Sequence, residues 1–129
     1  MSSESPRVLV VERPIDTNDH ISAMLTTAGY STRTAQTSQL ALDMLDDWQP
    51  QVLVVDMRVP NVEGHRFCTS LAEQPHDSNV PVVLLGELSN MMKAAPIVPF
   101  GLVSTPINGA QLAAAVHRAA VHQADAATA

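Results

Sequence analysis

The stretch Gln51-Val52-Leu53-Val54-Val55-Asp56-Met57-Arg58-Val59-Pro60-Asn61-Val62-Glu63-Gly64 decides the fold. Its apolar, β-branched run reads as a strand buried on both faces, and it ends in one carboxylate. Burying a lone carboxylate inside a sheet is costly, so Asp56 is expected at the strand's end, in a crevice. Pro60 and Gly64 punctuate a turn, and a helical pattern follows over residues 63–73, with Phe67, Leu71 and Ala72 facing in. In an open parallel sheet, ligands and chemistry gather outside the carboxyl ends of the strands. Asp56 therefore stands where a parallel α/β protein would do its chemistry. The plainer alternative is that its carboxylate caps the following loop.

Working outward, Val8-Leu9-Val10-Val11 is the first strand, and Glu12 and Arg13 directly after it are expected near Asp56 by the same edge rule. Asp16, Thr17 or Asn18 caps a helix whose apolar positions Ile21, Met24, Leu25 and Ala28 recur three and four apart, with Gly29 closing it. Residues 30–35, rich in Thr, read as a strand at a sheet edge. Thr37 or Ser38 opens a second helix with the stripe Leu40, Ala41, Met44, Leu45 and Trp48, and Pro50 stops it. Trp48 is read as a core or rim packer.

Beyond the central strand, residues 80–85 form the fourth strand, with Pro81 near its start, where a missing donor is tolerable. A short helix over residues 89–95 cannot extend through Pro96 and Pro99. Residues 100–104 are the fifth strand, Thr105-Pro106 is a tight turn with a candidate cis proline, and Asn108 caps a last helix over residues 109–122. Leu112, Ala113, Val116 and Ala120 make that helix's inner stripe. Its Ala-rich flank reflects either helix propensity or an apolar contact surface. Five strands alternating with five helices imply one parallel sheet with helices on both faces.

Composition narrows the function classes. A chain of 129 residues, 46% hydrophobic and 16% charged, is one globular domain with a real core. A formal charge of −6, with seven Lys and Arg scattered singly, argues against nucleic-acid binding. The single cysteine, Cys68, excludes an internal disulfide and suits a reducing cytoplasm, which is the expected location. No apolar run approaches membrane-spanning length, and the polar start is no signal peptide. His65 and Cys68 lie three apart, but no second pair completes a zinc site. His117 and His122 share no helix face and read as surface residues, and Met91 and Met92 as gap-fillers. No Gly-rich phosphate loop follows Val11, which counts against a dinucleotide fold.

With these elements in place, the chain resembles the receiver domain of bacterial two-component response regulators over residues 7–122, with residues 1–6 and 123–129 as flexible termini or a linker. Three marks carry the resemblance. The position of the family's acidic pair after the first strand holds Glu12-Arg13. The phospho-accepting loop Asp-x-x-x-Pro-x-x-Asp-Gly reads from Asp56 through Pro60 and Glu63 to Gly64. The Lys-Pro pair after the fifth strand is Thr105-Pro106. The resemblance implies a flavodoxin-like (βα)5 fold with sheet order 2-1-3-4-5 and Asp56 as the candidate phospho-acceptor.

The departures fall on the chemistry. By resemblance, the second acid of the pair ligates a divalent cation, and here it is Arg13, which ligates nothing. Glu12, Asp56 and the backbone carbonyl of Arg58 remain as a weak or absent Mg²⁺ set, so no cofactor is expected. The hydroxyl expected after the fourth strand falls on Gly86, the lysine on Thr105, and the switch aromatic on Leu102. A guanidinium from Arg13 beside Asp56 would occupy the cation's place through a bidentate pair.

The expectation is therefore a non-enzymatic pseudo-receiver that signals through protein contacts with impaired aspartyl phosphorylation. Its partners would be a histidine kinase or another signalling protein, with a homodimer or a covalently linked output domain as further options, and neither nucleic acid nor membrane. One alternative is a competent receiver phosphorylated on Asp56 by a histidine kinase. A second, of another class, is a flavodoxin-like domain binding a small ligand at the same crevice.

Overall fold

A computed structural model describes residues 5–12, 21–58, 62–73, 80–89, 91 and 97–128. The elements run β1 (Arg7–Val11), α1 (Ile21–Thr27), β2 (Ser31–Ala35), α2 (Ser38–Trp48), β3 (Val52–Asp56), α3 (Val62–Glu73), β4 (Val82–Gly86), β5 (Gly101–Ser104) and α4 (Gly109–Thr128). All strand pairs are parallel, in the order β2-β1-β3-β4-β5. This is the expected flavodoxin-like sheet, with the polar Ser31–Ala35 strand at an edge.

The two-residue period of the strands sorts side chains into two cores. Val8, Val10, Val52, Val54, Val83 and Leu85 meet Ile21 and Leu25 of α1 and Leu112, Val116 and Ala119 of α4. Leu9, Val11, Leu53, Val55 and Leu84 face the other way, against Ala41 and Leu45 of α2 and Phe67 and Cys68 of α3. β3 and β4 are buried at every position, as near-continuous apolar runs require. Full burial of each Val, Leu or Ile side chain stabilises the fold by about 1.5–3 kcal/mol.

Capping follows the local chemistry. Thr37 is the N-cap of α2, accepting a 3.1 Å bond from the Leu40 amide. Asn108 Oδ1 accepts from the Ala110 and Gln111 amides at 2.9 and 3.1 Å. α2 stops at Trp48, before Pro50, with Gln49 in the left-handed region at φ 53°. Its carbonyl accepts from Arg7 Nε and Nη2 at 3.1 and 2.8 Å, tying that turn to the start of β1. Trp48 is half-buried at the rim, with the Arg33 guanidinium 4.7 Å above its ring.

Some boundaries differ from the sequence expectation. α4 runs to Thr128, six residues past His122, because nothing between them is Gly or Pro and the run is rich in alanine. α3 begins one residue earlier than expected, at Val62. The caps proposed for α1 at Asp16, Thr17 or Asn18 lie outside the described residues. So does most of the helix expected over 89–95; residues 89 and 91 within it, and residue 88 before it, are helical. No helix among the described residues is long and apolar enough to cross a membrane.

Candidate functional site

Parallel register sets the carboxyl ends of four strands side by side. Val11 pairs with Val55, Asp56 with Leu85, and Gly86 with Ser104. Glu12, Asp56, Gly86 and Thr105 therefore line one edge of the sheet, where the sequence places them. Glu12 is half-buried, and its amide donates to the Ala35 carbonyl at 3.1 Å. The Thr105 amide donates to the Gly86 carbonyl at 3.1 Å, which ties the two strand ends together. The Thr105–Pro106 bond is cis, as the turn suggested, and Pro106 is exposed.

Asp56 is the one buried charged residue among those described, 2% exposed. A carboxylate so placed requires strong partners. Arg58 supplies three donors: Nε to Oδ1 at 2.9 Å, Nη2 to Oδ2 at 3.0 Å, and its backbone N–H to Oδ1 at 2.9 Å. The first two form a bidentate fork, a geometry that suits guanidinium and carboxylate. The third is the loop-capping bond that the plainer reading of Asp56 anticipates. Asp56 thus caps its loop and holds a cationic side chain at once.

The guanidinium described on Asp56 belongs to Arg58, the residue for which the sequence suggested only a backbone carbonyl. Arg13, the expected partner, lies outside the described residues. The signal for Arg58 was present: residues two apart in extended chain share a side, so a basic residue two beyond a strand-end acid can fold back on it. Among the described residues, no group of three or more His, Cys, Asp or Glu could hold a metal ion.

Gly86 has φ +154°, a conformation that side-chain-bearing residues rarely adopt. A Cβ there would lie 3.4 Å from the Met57 backbone carbon and 3.4 Å from Met91 Cγ. The backbone itself thus disfavours the hydroxyl-bearing residue expected by resemblance at this position.

Glu63, at the family's second loop acid, binds groups of α2 and α3. Its Oε1 accepts from the Ser38 amide at 2.7 Å, and Oε2 pairs with Arg66 at 2.9 Å. The Ser38 hydrogen bond is the main reason its carboxyl is held below the ordinary glutamate value. Desolvation opposes that shift, and the Arg66 charge adds to it. Glu63 therefore fastens the start of α3 to the start of α2. Cys68 is fully buried, and burial pushes its thiol up to about 12, so it is an inert core residue. His117 and His122 are exposed, with the His122 ring 4.9 Å from that of Phe100.

Comparison with known proteins agrees with this geometry. Residues 8–117 match the family model for the response regulator receiver domain. Protein Rrf1 of Nitratidesulfovibrio vulgaris is 31% identical over 113 residues, covering 88% of this chain and 81% of that protein. Regulatory protein AtoC of Escherichia coli is 28% identical over 120 residues, 88% of this chain but 25% of its own length. The chemotaxis response regulator CheY4 of Vibrio cholerae superposes with a TM-score of 0.70 at 23% identity, covering 89% of this chain and 98% of that one. With the predicted strand order present and the strand-end aspartate in its expected place, the chain belongs to the response regulator receiver domain family.

Proposed function

We propose that this receiver is atypical: Mg²⁺-dependent phosphorylation of Asp56 is impaired, and the domain signals mainly through protein–protein contacts. The observation that carries the reading is the set of groups at the strand ends beside Asp56. β4 ends in Gly86 and β5 is followed by Thr105. Neither supplies a cation, and Gly86 supplies no side-chain donor. Phosphoryl transfer is driven by positioning and by electrostatic stabilisation from metal and cationic groups, so such a site forfeits most of the driving contributions.

The donor set does not suit Mg²⁺. That ion requires a near-octahedral shell of oxygens and is usually held by carboxylates together with waters. Glu12 and Asp56 are acids at this edge, and both oxygens of Asp56 accept from the Arg58 fork. The partners that fit the reading are a histidine kinase or another signalling protein, a second copy of the domain, or an output domain in the same polypeptide.

One observation favours the competent alternative: Asp56 itself stands at the end of the central strand, in the acceptor's place. Incubation with a small phosphodonor and Mg²⁺, followed by intact mass, separates the two. The proposal expects the mass to remain unchanged. Stoichiometric addition of one phosphoryl group, absent in Asp56→Asn, would establish the competent receiver instead.

A further inference from the structure

We infer that Glu63 is a coupling strut: it caps α2 from a distance, and through it a change at the Asp56 end of β3 reaches the first turn of α2. The inference rests on the proposed signalling through protein contacts and deepens it by naming a surface that answers the site.

Helix chemistry carries the first half of the argument. The first turn of an α-helix leaves backbone N–H groups without intrahelical partners. In α2, two of them find acceptors from different parts of the chain. Thr37 Oγ1, the local N-cap, accepts from the Leu40 amide at 3.1 Å. Glu63 Oε1, 25 residues further along, accepts from the Ser38 amide at 2.7 Å. This second bond is short, charge-assisted and set at the positive end of the helix dipole, and each of these features strengthens it. Oε2 of the same carboxylate pairs with Arg66 one turn on in α3, at 2.9 Å. Arg66 is exposed, so that pair adds little stability by itself. It steadies the carboxylate that Ser38 uses.

Position carries the second half. Glu63 is the second residue of α3, one short connection beyond Asp56 in the chain. The first turn of α3 cannot shift without carrying this carboxylate. At the other end of the connection, Arg58 donates three bonds to Asp56, so a change in the charge of Asp56 alters how the chain leaves β3. Further along, Phe67 and Cys68 of α3 share a core with Ala41 and Leu45 of α2. Close packing there holds the bodies of the two helices together. Motion of the first turn of α3 is therefore taken up at the helix starts, where local opening is easiest. The first turn of α2 can report it, because Gln39 and Leu40 are exposed there. Loss of the Ser38 bond loosens the turn that presents these two side chains, and so changes the face that a partner meets.

The test is amide hydrogen exchange and chemical shift by NMR on the whole chain, with no phosphodonor present. Glu63→Ala should speed exchange of the Ser38 amide at least tenfold. Glu63→Gln keeps an acceptor oxygen and should retain part of the protection. Asp56→Asn should shift the Ser38, Gln39 and Leu40 amide resonances when Glu63 is present and leave them in place when Glu63→Ala is added. If Glu63→Ala does not fold, Glu63→Gln takes its place and should reduce the shifts caused by Asp56→Asn. Unchanged Ser38 exchange on loss of the carboxylate would overturn the strut. So would Asp56→Asn shifts of equal size with and without Glu63, or no shifts in either background. A wild type phosphorylated in a separate phosphodonor assay would overturn the impaired chemistry and leave the strut standing.

Discussion

Replacing Arg58 with Met should destabilise the fold through the Asp56 fork. It removes two hydrogen bonds between charged groups, at 2.9 and 3.0 Å, from a carboxylate 2% exposed. Hydrogen bonds to charged groups contribute about 1.5–3 kcal/mol each, and breaking a buried ion pair costs about 3–5 kcal/mol. Two features lower the figure here. The arginine side chain is 18% exposed and already partly hydrated, and its backbone N–H still serves Oδ1. We therefore expect a loss of about 2–3 kcal/mol in metal-free buffer at neutral pH. With a urea slope of about 2 kcal/mol/M, the unfolding midpoint should fall by about 1–1.5 M. Asp56→Asn should cost less, about 1 kcal/mol, because the amide still accepts hydrogen bonds and the freed guanidinium can hydrate. The double variant should cost less than the sum of the two, since the second change removes a group that the first has orphaned. The assay is urea unfolding of all four proteins in chelator. Arg58→Met within about 0.5 kcal/mol of wild type would mean that the fork contributes nothing beyond a surface pair.

Three further outcomes follow from other parts of the molecule. The carboxyl of Glu63 is held low, so its contribution to stability is complete above the unfolded-state value and is lost as pH falls through the lower folded-state value. Glu63→Gln should therefore show a smaller drop in urea midpoint between pH 7 and acid than wild type, and equal drops would contradict the tie to Ser38. Cys68, fully buried with its thiol pushed up to about 12, should resist a thiol reagent at pH 8 in the folded protein and react at once in urea. Gly86→Thr, the change that would return the missing hydroxyl, should destabilise by about 1–3 kcal/mol because φ +154° strains any side-chain-bearing residue; calorimetric melting would test this, and an unchanged transition would contradict it.

Much of this was legible from residue pattern alone. The run Val52-Leu53-Val54-Val55 reads as a doubly buried strand, and the cost of burying the acid at its end places Asp56 at the sheet edge. Thr37, Asn108 and Pro50 announced helix limits through their own hydrogen-bonding chemistry. The extension of α4 past His122 was not legible, because an apolar stripe ends where the core ends, while an alanine run continues a helix without one. The Arg58 fork is legible only in part: the spacing of two from Asp56 allows it, while the local turn decides whether the side chain folds back. By resemblance Glu63 belongs to the Asp56 loop, and its bond to Ser38 depends on how α2 and α3 pack together.

We propose that the groups around Asp56 withhold phosphoryl chemistry from a receiver that otherwise has the fold for it. The most direct measurement is an intact-mass time course with a small phosphodonor and Mg²⁺. It compares wild type with a variant combining Arg13→Asp, Arg58→Met and Thr105→Lys, which restores the acid and the lysine and removes the fork. Gly86 is left in place to avoid backbone strain. Wild type should stay at its starting mass while the variant gains one phosphoryl group, lost again when Asp56→Asn is added. Wild type gaining that mass as fast as the variant would contradict it.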